Sequence, residues 1–392
     1  MNIPEYKSLS GEFSPVSDIV KGQKILRIDN TTAQECIAYT KVLEDNGYAL
    51  YEANEFPAVK DKNLFYAYKE ENSALFLFWM AAYNRLYIVS SDTNELPSSK
   101  RFEDVTNYET NPEVVQLKLS QGYVWTIKMC DGSIVLIDGD LRDDKDTKEL
   151  YNYLKENAKP DEKVRIDMWI FTHPDVDHIS LAPEFLKDYG EKVEISAFTY
   201  QFLDCDKVQY KYIPSETIKK DVVTLEESIS RYCPNTPVYT LHTGQKFYYK
   251  GAEIEILLTP DMLYPRLYSS ANDASAALRV NFENGKKAIF LGDCMQFSCK
   301  ELANLYGAYL KSDIMQVAHH GLIGGNLELY KLIDPEICLW STSESRFMGT
   351  FEAEAYHYCL GEGGCDYNAW LRDDSIRKRE HYHLGQVATI RI

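Results

Sequence analysis

Ile166-Asp167-Met168-Trp169-Ile170-Phe171-Thr172-His173-Pro174-Asp175-Val176-Asp177-His178 is the stretch on which the reading of this chain turns. Ile166 to Phe171 is apolar almost throughout, as expected of a buried strand. Pro174 stops the strand, because it has no N–H to give to a ladder. The turn behind it carries His173, Asp175, Asp177 and His178. From Ile179 to Tyr189 the pattern predicts a helix, with Ser180 as N-cap and Pro183 in its first turn. Carboxylates and imidazoles at the carboxyl end of a buried strand, with a helix behind, mark the edge at which sheets hold ligands.

The spacing has chemical content. In an irregular turn, residues two apart can face the same way, so His173 and Asp175 can share one cation. Asp177 and His178 can splay toward a second. Carboxylate oxygens with imidazole nitrogens suit Zn, Mn or Fe(II). The bland alternative, an acidic solvated loop that happens to hold two histidines, sits poorly behind a buried strand.

Working outward, the 392 residues predict two or three domains, or one large domain with an appendage. The net charge of −18 argues against a broad nucleic-acid footprint, which needs clustered Lys and Arg. Nine cysteines without a Cys-x-x-Cys pair read as scattered reduced thiols. Met1-Asn2-Ile3-Pro4-Glu5 lacks the pattern of a signal peptide. The longest apolar run, Ala74 to Tyr83, is too short to span a bilayer. A soluble, cytoplasmic protein with no membrane partner is the expectation.

Residues 1–100 read as an accessory α+β domain for recognition, dimerisation into a homodimer, or regulation; a purely structural extension is the alternative. Thr32-x-x-Glu35 is a capping box opening a helix to about Asn46, with Ile37, Ala38, Val42 and Leu43 as its apolar face. Strands are expected at 24–28, 48–53, 64–68, 73–80 and 85–90, with a turn at Glu70-Glu71-Asn72. Residues 92–112 form a polar linker. Beyond it come dense strands, with hairpin turns at Asp131-Gly132 and Glu283-Asn284-Gly285. Helices are expected up to about Ala158, at 215–232, 297–310 and 327–333, and a closing strand at 387–392.

Several buried strands end in ligand-type residues: Ile137 before Asp138-Gly139, Phe171 before the His/Asp turn, Leu291 before Gly292-Asp293, and Ala318 before His319-His320-Gly321. Ligands gathered from strand ends are how a rigid scaffold builds a shared metal site.

This order of motifs, Asp-Gly, His-Pro-Asp-x-Asp-His, Gly-Asp and His-His-Gly, resembles the metallo-β-lactamase superfamily, most of all the hydrolase domain of competence protein ComEC. Phosphorylcholine esterases are similar in layout. The resemblance covers roughly residues 113–345, and the tail less clearly. It implies a four-layer αββα sandwich spanning 113–392 behind the small N-terminal α+β domain. It also implies two divalent metal ions, Zn or Mn. Carried over by position, His173 and Asp175 would bind the first metal. Asp177, His178 and one of His319 and His320 would bind the second, with Asp293 bridging and Asp138 supporting the ligand loop. His319 is the favoured ligand, and His320 the contact to substrate or transition state. The intermediate ligand, usually His, falls on Asn272-Asp273, with Asp273 as candidate and Asn272 as alternative. His242 sits too early and reads as structural. His357, His381 and His383 read as surface residues, although the His381-Tyr382-His383 tail could approach the site. Cys294 reads as packed rather than reactive.

Asp175 in place of a second His, and Asn/Asp in place of the intermediate His, make the site oxygen-rich and favour Mn²⁺ or a mixed pair. The implied chemistry is hydrolysis by a metal-activated water, with Asp177 and His320 in the reacting set. A phosphodiester or phosphoester of small size is the expected substrate, since the acidic charge disfavours nucleic acid. The alternatives are a lactonase or amide hydrolase on the same site, and a non-catalytic metal-binding interaction module.

Overall fold

The computed structural model describes residues 3–71, 73–91, 96–102, 108–120, 124–159, 163–211, 214–263, 268, 270–322, 324–345, 347–348, 373–383 and 388–392. His357 and parts of the expected 92–112 linker lie outside these. Two seven-stranded sheets face each other, and helices cover both outer faces, so the chain is α+β with the expected αββα layering.

The first sheet runs, edge to edge, Val238–Thr240, Phe198–Tyr200, Met168–Phe171, Ile134–Ile137, Trp125–Lys128, Glu113–Gln116 and Ala388–Arg391. The second runs Lys246–Tyr249, Ala252–Leu258, Ala277–Phe282, Lys287–Phe290, Ile314–Gln316, Ile337–Leu339 and Glu380–Tyr382. The expected turns at Gly132 and Gly285 are present, each glycine at a positive φ that joins antiparallel neighbours. Between the sheets lies a dry core of Trp125, Ile127, Ile137 and Ile170 against Phe247, Ile254, Leu278 and Phe290. Helices Asp144–Glu156, Leu181–Tyr189 and Ser215–Tyr232 cover the first sheet. Gln296–Tyr306, Leu327–Ile333 and Asp374–Arg377 cover the second.

One feature of the topology positions the site. In the first sheet, Ile134–Ile137 and Met168–Phe171 are parallel neighbours. In the second, Lys287–Phe290, Ile314–Gln316 and Ile337–Leu339 are parallel. Parallel strands bring their carboxyl ends to one rim, so the residues that follow each of them meet there.

The N-terminal sheet is six-stranded, with the order Glu12–Phe13, Gln23–Asp29, Arg85–Ser91, Ser73–Met80, Lys62–Glu70 and Ala49–Pro57. The apolar run at Ala74 is its central strand, buried on both faces. Leu75, Leu77 and Trp79 meet the helix Ala33–Asp45, while Phe76, Phe78 and Met80 join the core beneath Gln296–Tyr306. Strand alternation explains the division. Among the described residues no helix is long and apolar enough to cross a membrane.

The Thr32/Glu35 capping box forms as expected, but the buried face of its helix is Cys36, Tyr39 and Leu43, while Ile37 is 50% exposed. Of the expected face only Leu43 is buried, while Ile37, Ala38 and Val42 are exposed, because the sheet meets the stripe that runs through Cys36 and Tyr39. Part of the linker is also ordered: Phe102 N–H donates to Tyr248 O at 2.8 Å, covering the edge of the second sheet.

Candidate metal centre

The expected helix start at Ile179 is corrected. A separate one-turn helix, Val176–Ile179, precedes Leu181–Tyr189, so Asp177 and His178 sit on helical backbone rather than in an irregular turn. The Ser180 side chain caps neither helix and instead accepts from Arg142 N–H at 3.0 Å. The strand before the motif is also divided, into Val164–Ile166 and Met168–Phe171.

Asp138 organises the loop. It is fully buried, with φ at +61°. Its Oδ1 accepts from Thr172 N–H at 2.7 Å, and its Oδ2 accepts from Thr172 Oγ1 at 2.9 Å and from His178 Nδ1 at 2.9 Å. These bonds fix the imidazole tautomers. A carboxylate only accepts, so His178 carries its proton on Nδ1. Thr172 gives its hydroxyl proton to Asp138, so that hydroxyl must accept from His173 Nδ1, 3.0 Å away. His173 therefore turns a bare Nε2 lone pair inward, where the buried atom has no hydrogen-bond partner among the described residues.

Asp293 lies at the focus of four imidazoles. Its carboxylate oxygens stand 3.0 Å from His320 Nε2, 3.3 Å from His178 Nε2, 3.7 Å from His173 Nε2 and 3.9 Å from His319 Nε2. Asp177 stands 3.6 Å from His320 Nε2, and Asp175 3.9 Å from His173 Nε2. Two sets of potential ligand atoms lie close enough to share an ion: His173, His178 and Asp293, and Asp177, His178 and His320.

The backbone supports this convergence. Gly292 has φ +53°, and a Cβ there would press on Thr172 Oγ1 at 2.9 Å, so the two ligand-bearing strand ends touch. Asp293 N–H donates to Ser275 Oγ at 3.0 Å. The strand expected to run to Ala318 spans Ile314–Gln316. His319 and His320 follow with φ of +49° and +57°, a left-handed pair that costs non-glycine residues about 1–2 kcal/mol each. Strain of this kind persists where surrounding contacts enforce it, as at functional sites.

The two histidines of this pair are placed differently. His320 enters the cluster, with Nδ1 3.1 Å from Ser341 Oγ, while His319 stands at the mouth, its side chain 18% exposed. At the intermediate position the two candidates also differ in surroundings. Asn272 Nδ2 lies 3.1 Å from His319 Nε2. Asp273 belongs to neither ligand group, and neither do Asp175 and His319; Asp273 lies close enough to the Cys294 thiol to help raise its pKa. A tight 3₁₀ turn, Ala271–Ala274, points these consecutive side chains in different directions.

Charge balance points to a cation. Burial pushes the Asp175 carboxyl up to about 7, reinforced by Asp293. Burial also opposes charge on Asp293, but His320, His178 and His319 outweigh it and hold the group well below the usual carboxylate range. Burial, with His178 beside it, holds His173 well below its ordinary value, so its lone pair is available. Burial opposes the charge of His178 too, yet Asp293 and Asp138 raise it well above the ordinary value. A buried base without a partner, beside carboxylates that repel one another, is the environment a divalent cation satisfies, and imidazole with carboxylate is a fitting donor set.

Other expectations divide. His242 stacks on Phe76, ring centroids 3.5 Å apart, and ties the N-terminal sheet to the sandwich. His381 is half-buried and His383 buried: Trp340 Nε1 donates to His381 Nδ1 at 3.0 Å, and His383 packs beside Phe347. Cys294 is fully buried, its thiol pushed up to about 12 chiefly by burial. Thr172, Ser275 and Ser341 escaped the sequence reading. Thr172 adjoins His173 and Ser341 ends an expected strand, but hydroxyls carry no motif of their own.

No protein-family profile and no curated protein matches the sequence. Solved structures do. CmlA, a diiron β-hydroxylase from Streptomyces venezuelae, aligns at 12% identity over 72% of this chain with a TM-score of 0.40, and this chain spans only about half, 55%, of that structure. Human tRNase Z, short form, aligns at 12% identity over 57% of this chain and 86% of its own, with a TM-score of 0.35. A metallo-β-lactamase of Cronobacter sakazakii with a HARLDQ motif aligns at 13% identity over 50% and 71%, with a TM-score of 0.28.

Proposed function

We propose that the chain is a metal-dependent hydrolase of phosphoesters or small phosphodiesters, with two divalent ions held side by side. His173 and Asp175 would hold one, Asp177, His178 and His320 the other, and Asp293 would lie between them. One observation carries the reading: three imidazole Nε2 atoms from two separate strand ends converge on a single buried carboxylate delivered by a third, with their Nδ1 atoms engaged by Asp138, Thr172 and Ser341. Such outer partners orient ligands and make them more basic.

Bound there, Zn²⁺ or Mn²⁺ would supply Lewis-acid activation of a water and of the scissile phosphate. The chain's own groups do the rest. Asp177, 29% exposed, is the carboxylate open enough to accept the proton of the attacking water. His319 at the mouth can donate a hydrogen bond to the phosphate or to the departing oxygen. Overall, a water oxygen bonds to phosphorus, the P–O bond to the leaving group breaks, and the proton ends on the leaving oxygen. The oxygen-rich set, with Asp175 and Asn272 where imidazoles are usual, favours Mn²⁺ over a tightly held Zn²⁺ pair. The ComEC-like motif order supports a phosphodiester, and the charge of −18 supports a small one over nucleic acid.

Metal analysis of the purified chain, with turnover of bis-p-nitrophenyl phosphate in Mn²⁺, tests this. His178→Ala and Asp293→Ala should each abolish bound metal and turnover together. Retention of both by both variants would end the hydrolase reading.

A further inference from the structure

Beyond the metal cluster, a cavity of about 310 Å³ opens on the same rim, further along the first sheet. Met168–Phe171 pairs in parallel with Phe198–Tyr200, which pairs in parallel with Val238–Thr240; Phe171 is in register with Tyr200, and Tyr200 with Thr240. Tyr200, Phe202 and Thr240 line the cavity. Its floor therefore begins one strand, about 4.8 Å, from the strand that delivers His173. The rings of Phe171 and Tyr200 touch edge to face at 6.3 Å between centroids.

The lining says what fits. Tyr200 and Phe202 stack at 4.4 Å and 22° into a flat aromatic wall. Val222 and Val223 of the helix Ser215–Tyr232, with Val20 from the N-terminal segment, form aliphatic walls. The polar groups around it are already engaged. Gln201 donates to Leu241 O at 2.9 Å and accepts from Asp261 N–H at 3.2 Å. Lys219 pairs with Asp206 at 2.6 Å, and Lys21 with Glu226 at 3.6 Å. The remaining carboxylate, Asp204, accepts from Asp206 N–H at 2.9 Å, so the lining carries two lysines against three carboxylates, which disfavours an anionic group and leaves shape and apolar surface to decide. The volume lies at the small end of ligand pockets, enough for one or two fused rings.

We propose that this cavity is a subsite for a flat, neutral apolar group, such as an aryl group, carried by the ester that the metal centre cleaves. The proposal rests on the hydrolase reading for its link to catalysis, and on the cavity alone for its ligand class. Metal ligands at the end of one strand and an aromatic wall at the end of the next would hold the two ends of one small molecule.

The test uses the full chain with Val223→Trp, which fills the cavity from a position 40% exposed and so tolerant of size, and with Phe202→Leu, a milder change. Binding of 1-naphthol is followed by saturation-transfer NMR without added metal. Turnover of 1-naphthyl phosphate and of ethyl phosphate is followed by phosphate release in Mn²⁺. Val223→Trp should weaken naphthol binding, and lower the naphthyl-to-ethyl ratio of kcat/KM, by about tenfold or more, with a smaller loss in Phe202→Leu. Naphthol binding that neither variant changes overturns the proposal, as does turnover whose naphthyl preference neither variant alters. Binding lost in Val223→Trp with no ester cleaved by any form would sink the hydrolase reading and leave the aromatic site standing.

Discussion

Asp138→Asn keeps the volume of a buried side chain and exchanges one acceptor oxygen for a donor. The native carboxylate accepts from Thr172 N–H, Thr172 Oγ1 and His178 Nδ1 at 2.7, 2.9 and 2.9 Å. In the variant, Oδ1 still serves Thr172 N–H, and the threonine hydroxyl can rotate. His178 has no such freedom: an amide N–H₂ now faces its Nδ1–H. The imidazole relieves the clash by moving its proton to Nε2, the atom 3.3 Å from Asp293 that should hold the cation. Metal affinity should therefore fall about 10–100-fold while the fold survives. Asp138→Ala goes further and orphans Thr172 N–H and His178 Nδ1–H, each about 1–3 kcal/mol as an unsatisfied buried donor, for a total near 3 kcal/mol. Asp138→Gly removes the same bonds but suits φ +61°, so it should recover about 1 kcal/mol relative to Ala. Competition of Mn²⁺ and Zn²⁺ against a chelator, with urea unfolding of each variant, reads both quantities. Metal affinity in Asp138→Asn within about twofold of the native chain would refute the idea that Asp138 sets the tautomer of a ligand.

Three further outcomes follow from the geometry. His320→Ala should lose metal and turnover together, whereas His319→Ala should keep most of its metal and lose turnover by about 10²-fold; the reverse pattern in metal analysis would restore His319 as the ligand. Burial raises the Glu52 carboxyl to about 7 from 4.5, against the opposing pull of Asn54, Lys100 and Lys246. The folded state thus holds this proton more tightly than the unfolded chain, and stability falls as pH rises from about 4.5 to about 7. Glu52→Gln should remove that fall and stabilise the protein by up to about 3 kcal/mol at pH 8.5 but not at pH 4, as urea titrations would report; parallel pH profiles would contradict it. Gly321→Ala places a Cβ inside the Trp340 ring at φ +76°, so it should displace the preceding His320, weaken metal binding and destabilise by about 2 kcal/mol or more, measurable by metal titration and unfolding.

The elements that were legible in the sequence are those whose physics is local. Thr32 and Glu35 cap a helix because each reaches the other's backbone within one turn. Gly132 and Gly285 close hairpins because their own φ demands it. The helix Ser215–Tyr232 follows from its own periodicity. His173, Asp177, His178 and Asp293 stood out because each follows an apolar run that must be buried.

What the tertiary structure decided depends on neighbours no local rule can see. Nothing within a few residues of His319 and His320 says which imidazole turns inward; their left-handed backbone, and the hydroxyl of Ser341 two residues beyond the adjacent strand, do. That Asn272 reaches His319 while Asp273 acts on Cys294 follows from the rotation at which a 3₁₀ turn is held. Ile37 faces water because the sheet that could have covered it docks elsewhere. Local preference is a sum over adjacent atoms and is written in the chain. The meeting of Asp138, His178, Asp293 and His320 is set by which strands are parallel and in what register, and that is fixed by packing across the whole core.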